Sequence, residues 1–156
     1  MTKCGYAINT EGEVALSAGV AKTILGVRAS SAVALDLKGF EIDFDGVTAS
    51  NEPVPIIIAY CTFATNPPGT ASTGITESQI YGRVVAADFT GARNWTTEPT
   101  SINTFWPIAL DPNKGLFEWE WPLGETPDCA ANEGFIIRCN APQAVGVNAR
   151  MRLEHA

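Results

Sequence analysis

The sequence predicts an all-β chain, an antiparallel β-sandwich of jelly-roll type with about eight strands. Three observations predict it. Apolar residues recur with a period of two along most of the chain, the spacing that puts them on one face of a strand. Turn-forming residues interrupt the alternation about every 8–12 residues. No segment of helical length carries apolar residues at i, i+3, i+4 and i+7, and only one short helical turn, near residues 75–80, is compatible with the pattern.

The elements follow in order. Residues 21–29 alternate, with Thr23, Leu25 and Val27 on one face and Lys22, Gly26 and Arg28 on the other. Ile24 breaks the polar face, which is expected where a second layer covers it. Val33, Leu35 and Leu37 then alternate with Ala34, Asp36 and Lys38 until Gly39, after which the apolar set becomes Phe40, Ile42 and Phe44. A phase change of one residue at a glycine predicts one long strand with a β-bulge. Asp45-Gly46 closes that strand. Val54 to Phe63 is an almost unbroken apolar run, as in a strand buried on both faces, with Pro53 and Pro55 at its start. Residues 66–74 are a turn-rich loop, Tyr81 to Phe89 reads as a strand, and Phe105 to Leu110 as a short strand interrupted by Pro107. Asp111 to Gly115 is a turn. Phe117, Trp119 and Trp121 alternate with Glu118 and Glu120. Phe135, Ile137 and Cys139 alternate with Ile136, Arg138 and Asn140. Val145 to Leu153 is the longest regular alternation and predicts a core strand closing the domain.

The chain has 156 residues, enough for one domain with a real core. We expect an N-terminal arm over residues 1–13 and a single sandwich domain over 14–156. Ten basic against 17 acidic side chains give a net charge of −7. That balance argues against nucleic acid as a partner, since phosphate binding needs clustered Lys and Arg. No apolar run approaches the ~20 residues of a membrane helix, and the N-terminus lacks the apolar core of a signal peptide. The four cysteines, Cys4, Cys61, Cys129 and Cys139, form no C-x-x-C pair. Reduced, buried thiols are the expectation.

Little in the chain points to catalysis. His155 is the only histidine and lies next to the C-terminus, where side chains are usually solvated. One imidazole cannot build the several-histidine metal site found in some jelly rolls. Phosphate-binding glycine loops and the G-x-S-x-G elbow are absent. The ladder Glu41, Asp43, Asp45 could hold a hard cation. However, strand spacing separates successive carboxylates by about 6.5–7 Å, which favours a solvated face opposite Lys or Arg of a neighbouring strand. Glu118 and Glu120 share that spacing; a glycosidase pair would need a sugar-positioning cluster beside them, and none is seen. We therefore expect no enzyme, no cofactor and no metal.

The four tryptophans raise a binding function. Trp119 and Trp121 share a face with Phe117 and read as core or subunit interface. Trp95 and Trp106 lie in loop-like context and are the candidates for an exposed aromatic platform, as in a carbohydrate-binding module. Asn94-Trp95-Thr96 matches a glycosylation sequon, which carries little weight without a secretory signal.

The stretches Val14-Ala15-Leu16, Ala21 to Ala29, Phe40 to Gly46 and Pro53 to Ile58 resemble the opening half of small jelly-roll virion proteins of tailed bacteriophages. Glu133 to Arg138 followed by Val145 to Glu154 resembles their last two strands. The resemblance spans nearly the whole chain, rests on structural motifs and transfers no catalytic residue. It implies a capsid decoration (cement) protein or a head-fibre subunit, made in the host cytoplasm and located on the virion surface. The implied partners are the major capsid protein of the same virion and copies of the chain itself in a homo-oligomer, a trimer, with no nucleic acid and no membrane. On this reading Tyr6 and Ile8 are candidate capsid or subunit contacts, ordered by strand addition to a neighbour. The alternative is a carbohydrate-binding or receptor-binding β-sandwich of a virion fibre or spike.

Overall fold

The structure, a computed structural model, describes residues 4–45 and 51–156. Residues 1–3 of the expected arm and Gly46 of the expected turn lie outside the described residues. The strands are β1 (Gly5–Asn9), β2 (Val14–Leu16), β3 (Ala21–Ala29), β4 (Leu35–Phe44), β5 (Val54–Cys61), β6 (Thr73–Gly74), β7 (Ser78–Tyr81), β8 (Phe89–Arg93), β9 (Ile102–Leu110), β10 (Phe117–Glu120), β11 (Asp128–Cys129), β12 (Gly134–Asn140) and β13 (Val145–His155). No described residue is helical, so the turn allowed near residues 75–80 is not formed; those residues lead into β7 instead.

Two antiparallel sheets pack face to face, giving the expected β-sandwich. The first runs β10-β4-β13-β1-β7, with β11 added on β4 and β2 on β13; the second runs β6-β8-β3-β12-β5-β9. Among the eight strands β1, β3, β4, β5, β9, β10, β12 and β13, the first pairs with the eighth, the second with the seventh, the third with the sixth and the fourth with the fifth. The chain thus behaves as one long hairpin wrapped into two layers. Between the layers lies the main core, including Ile8, Leu25, Leu37, Phe40, Ile58, Phe135, Ile137 and Met151.

The bulge in β4 sits where the phase change places it. Arg152 faces Gly39 and Leu153 faces Leu37, leaving Lys38 without an opposite residue. Leu35 and Leu37 are buried before that point, and Phe40 and Ile42 after it. Gly39 also permits a close approach: a Cβ there would lie 2.7 Å from the Trp119 carbonyl oxygen. A second bulge was not legible. Arg138 faces Thr23 and Ile137 faces Leu25, so Ile24 is the extra residue in β3. This turns Thr23 off the face shared by Leu25 and Val27, and its hydroxyl donates outward to Glu98.

The expectation of an arm over residues 1–13 is corrected for the described residues 4–13. Gly5–Asn9 is an internal strand, paired with β13 on one side and β7 on the other. β1 and β2 lie end to end along β13 as one interrupted strand. Between them, Thr10 N–H donates to the Ala149 carbonyl (3.0 Å), and the backbone turns at Glu11 and Gly12, both at positive φ. The physical reason is the alternation itself. Tyr6 and Ile8 supply two apolar side chains to a core that would otherwise be open beside β13, and burying each contributes about 1.5–3 kcal/mol.

The strand expected over Tyr81 to Phe89 is also corrected. β7 ends at Tyr81, β8 begins at Phe89, and residues 82–88 form a loop between Gly82 and Asp88, both at positive φ. Val84 and Val85 have the composition of a strand but no partner strand on either side.

Candidate interaction surfaces

The outer face of the first sheet is polar, and most of its charges are matched across strands. Arg150 on β13 pairs with Glu41 on β4 at 3.2 Å, and Arg152 reaches Glu118 and Glu120 on β10 at 3.4 and 3.5 Å. The Asn148 amide donates to Asp43 (3.4 Å), and Gly146 N–H donates to Asp45 (2.9 Å). The acidic ladder therefore lies opposite arginines and amide donors, as its spacing predicts. Among the described residues no group of His, Cys, Asp or Glu could hold a metal ion. A shallow polar hollow of about 500 Å³ opens on this face, lined by Asn9, Thr10, Asp43, Asn148 and Arg150.

The outer face of the second sheet is apolar and covered. Ala59, Cys61, Ala92 and Ile136 form a second cluster with Phe63 and Trp95 from the loops that cross it. Trp95 is only 1% exposed. Its indole N–H donates to the Asn66 carbonyl (2.9 Å), its backbone N–H to Thr23 (3.0 Å), and its ring stacks on Phe63. Trp95 is thus no exposed platform, because the sheet beneath it is apolar and needs a lid. Beside it, Glu98 accepts from Thr23 N–H (2.8 Å) and the Thr23 hydroxyl (2.5 Å), and pairs with Arg138 Nε at 2.7 Å. Those bonds clamp the covering loop to β3 and β12.

Trp106 is half-buried at the side of the sandwich where the edge strands β9 and β10 face outward. Its ring lies 5.0 Å from Trp119 and 5.9 Å from Trp121, which in turn packs on Phe40 at 5.5 Å. Phe117, Trp119 and Trp121 therefore belong to the core side, filling the opening between the two sheets. The indole N–H groups of Trp106 and Trp119 are enclosed without an acceptor. β9 is blunted as an edge by Pro107 and by the register shift at Phe105, the devices that discourage strand addition.

Tyr6 and Ile8, the expected external contacts, are 2% and 0% exposed. Tyr6 packs edge-on against Phe89 and beside His155, and its hydroxyl donates to Val85 and Ala86 carbonyls (both 3.3 Å). Burial, and then the electrostatic influence of Cys4 and Asp88, push its phenol up. Cys61, Cys129 and Cys139 are buried free thiols, and Cys4 is buried too. Burial pushes up the thiols of Cys61 and Cys139, and that of Cys129 to about 11. A raised thiol is a poor nucleophile at neutral pH, so these groups serve packing.

The surface residues that sequence reasoning missed lie around β7. Ile80, Tyr81, Val84 and Val85 are exposed, Val84 by 96%. The only available signal was Gly82, a turn residue inside an apparent strand.

No protein-family model matches the chain, and no curated protein does. Among the solved structures similar to it are infectious bursal disease virus, Gx strain, with 12% identity and a TM-score of 0.26, and T=1 particles derived from infectious bursal virus, with 12% identity and a TM-score of 0.27. Each match covers 98% of this chain, which spans 42% and 40% of the respective viral chains.

Proposed function

We propose that the chain is a structural virion protein, a capsid decoration protein of jelly-roll form that binds and stabilises a bacteriophage head as a homo-oligomer, a trimer. The observation that carries this reading is the distribution of apolar surface. The faces of both sheets are finished, one by paired charges and the other by a loop lid, whereas large apolar side chains reach solvent at the rims, at Ile80, Tyr81, Val84 and Val85 and at Leu116 and Leu123 beside β10. A body that adheres needs a rigid frame and apolar contacts at its rim, and this one combines them. The wrapped-hairpin pairing of first with eighth through fourth with fifth strand supports the jelly-roll form. The resemblance in sequence supplies the tailed-phage context and the trimer.

The test is to add the purified protein to phage heads lacking their decoration protein, then measure occupancy by microscopy and head stability on heating. Saturable binding at symmetry-related positions, with heads that rupture at higher temperature, is the expected result. A protein that binds no shell overturns the reading. The alternative, sugar binding by a tryptophan platform, loses one partner with the burial of Trp95, and Trp106 is packed against Trp119 and Trp121. A glycan array with bound ligands would restore it.

A further inference from the structure

We propose that the loop over residues 82–88 joins copies of this chain: Val84 and Val85 of one copy seat against the exposed Ile80 and Tyr81 that line a hollow on the next. The inference deepens the oligomeric part of the reading above by naming the contact.

The loop is held from inside. The Tyr6 hydroxyl bonds the carbonyls of Val85 and Ala86 (3.3 Å each), and a His155 ring nitrogen meets the Ala87 carbonyl at 2.6 Å. The Gln79 amide donates to the Arg83 carbonyl, and the Cys4 thiol approaches the same oxygen at 3.7 Å. Side chains from β1, β7 and β13 thus fix the carbonyls on both sides of Val84. The loop spends its polar groups inward and presents two valines outward in a set conformation. Preorganisation of that kind lowers the entropic cost of a contact.

A receiving site lies on the adjoining surface. A hollow of about 440 Å³ is lined by Lys38, Ile80, Tyr81, Glu120, Arg152 and Leu153. The charges around knob and hollow complement each other. Lys38, at the hollow, makes no ion pair with any described residue, and neither does Asp88, which ends the loop. A second copy docked knob into hollow brings these two opposite charges together. Projection and recess both adjoin β7, so one patch of this chain carries both halves of a contact. Such a contact pairs two copies when it is reciprocal, and repeated head to tail it closes a ring when the rotation between copies closes.

The experiment is the mass of the free full-length protein in solution, by sedimentation equilibrium without heads. Wild type is expected at a multiple of 16.6 kDa. Val84→Asp is expected to weaken the association at least tenfold, the effect of losing a contact worth about 1.4 kcal/mol. Asp88→Lys weakens it as well, and Asp88→Lys with Lys38→Asp restores it. Circular dichroism and the urea midpoint report that each variant is folded; the charge pair carries the test should Val84→Asp fail to fold. A monomeric wild type, an unchanged association in Val84→Asp, or a charge swap that restores nothing overturns the proposal. A monomer that still decorates heads would overturn this contact and leave the virion reading standing. An oligomer that ignores heads would do the reverse.

Discussion

The two outer sheet faces solve the same problem in opposite ways. The first sheet turns charged and amide side chains outward and matches them across β4, β10 and β13. The second turns Ala59, Cys61, Ala92 and Ile136 outward and hides them under loops anchored by Trp95 and Phe63. The difference teaches that a tryptophan in loop context is read by what lies beneath it. Above a charged face it would be exposed. Above small apolar residues it becomes the lid.

The largest expected effect breaks the lid. Trp95→Ala removes a fully buried indole and its bond to Asn66. A loss of about 3–5 kcal/mol is expected in urea denaturation. A loss below ~1 kcal/mol would mean that the covered face is no core at all and that the two faces are alike. Next comes the fit beneath the lid. A Cβ on Gly26 would stand 2.8 Å from the Trp95 ring and 3.2 Å from Ile136 Cγ2, so Gly26→Ala should cost about 1–3 kcal/mol through overpacking. The clash is with Trp95, so the two substitutions should be non-additive. If the double variant Gly26→Ala, Trp95→Ala loses the sum of the two single effects, the glycine matters for some other reason.

Much of this was legible in the residues. Period-two alternation located most of the long strands, and the phase flip at Gly39 located the bulge, because both follow from the pleat itself. The matched acidic ladder was legible for the same reason. The covered face left two marks as well: the unbroken run from Val54 to Phe63, and Ile24 interrupting a polar face. Those marks say that something covers the sheet, but not which loop. Trp95 stood far in sequence from Cys61 and Ile136, and only the pairing of β3 with β8 and β12 with β5 brings them together. Tyr6 and Ile8 were misplaced because a five-residue strand ahead of a turn at Gly12 looks like a tail until β13 is seen to need a neighbour. The rim at Val84 was hidden by its own β-branched composition, which fits a strand as well as a fixed loop.

A smaller effect follows from Cys61, which lies under the lid. Burial pushes its thiol above the ordinary value near 9.0, although the Phe63 N–H and the Arg138 charge pull it back. The raised value means that folding favours the neutral thiol. Its contribution is fully present below the unfolded pKa and is lost as pH rises through the folded one. Cys61 in the native protein should therefore resist iodoacetamide at pH 8. Trp95→Ala should speed its alkylation at least ~10-fold while the sandwich stays folded, since access and thiolate fraction both rise. Equal rates in the two proteins, read by peptide mass, would show that the loops do not seal the face.

The smallest effect belongs to the open face. Arg150 is 63% exposed and meets Glu41 at 3.2 Å. Exposed pairs are screened by water and salt and constrain two long side chains, so their net worth is about 0–1 kcal/mol. Arg150→Ala should shift the urea midpoint by little, and less still in high salt. Asn148 and Arg152 continue to face the neighbouring acids, so removal of one cation leaves the rest of the ladder matched. A loss of several kcal/mol would show that the charged face is as tightly bound into the fold as the covered one, and the contrast between the two sheets would then be one of chemistry without a difference in stability.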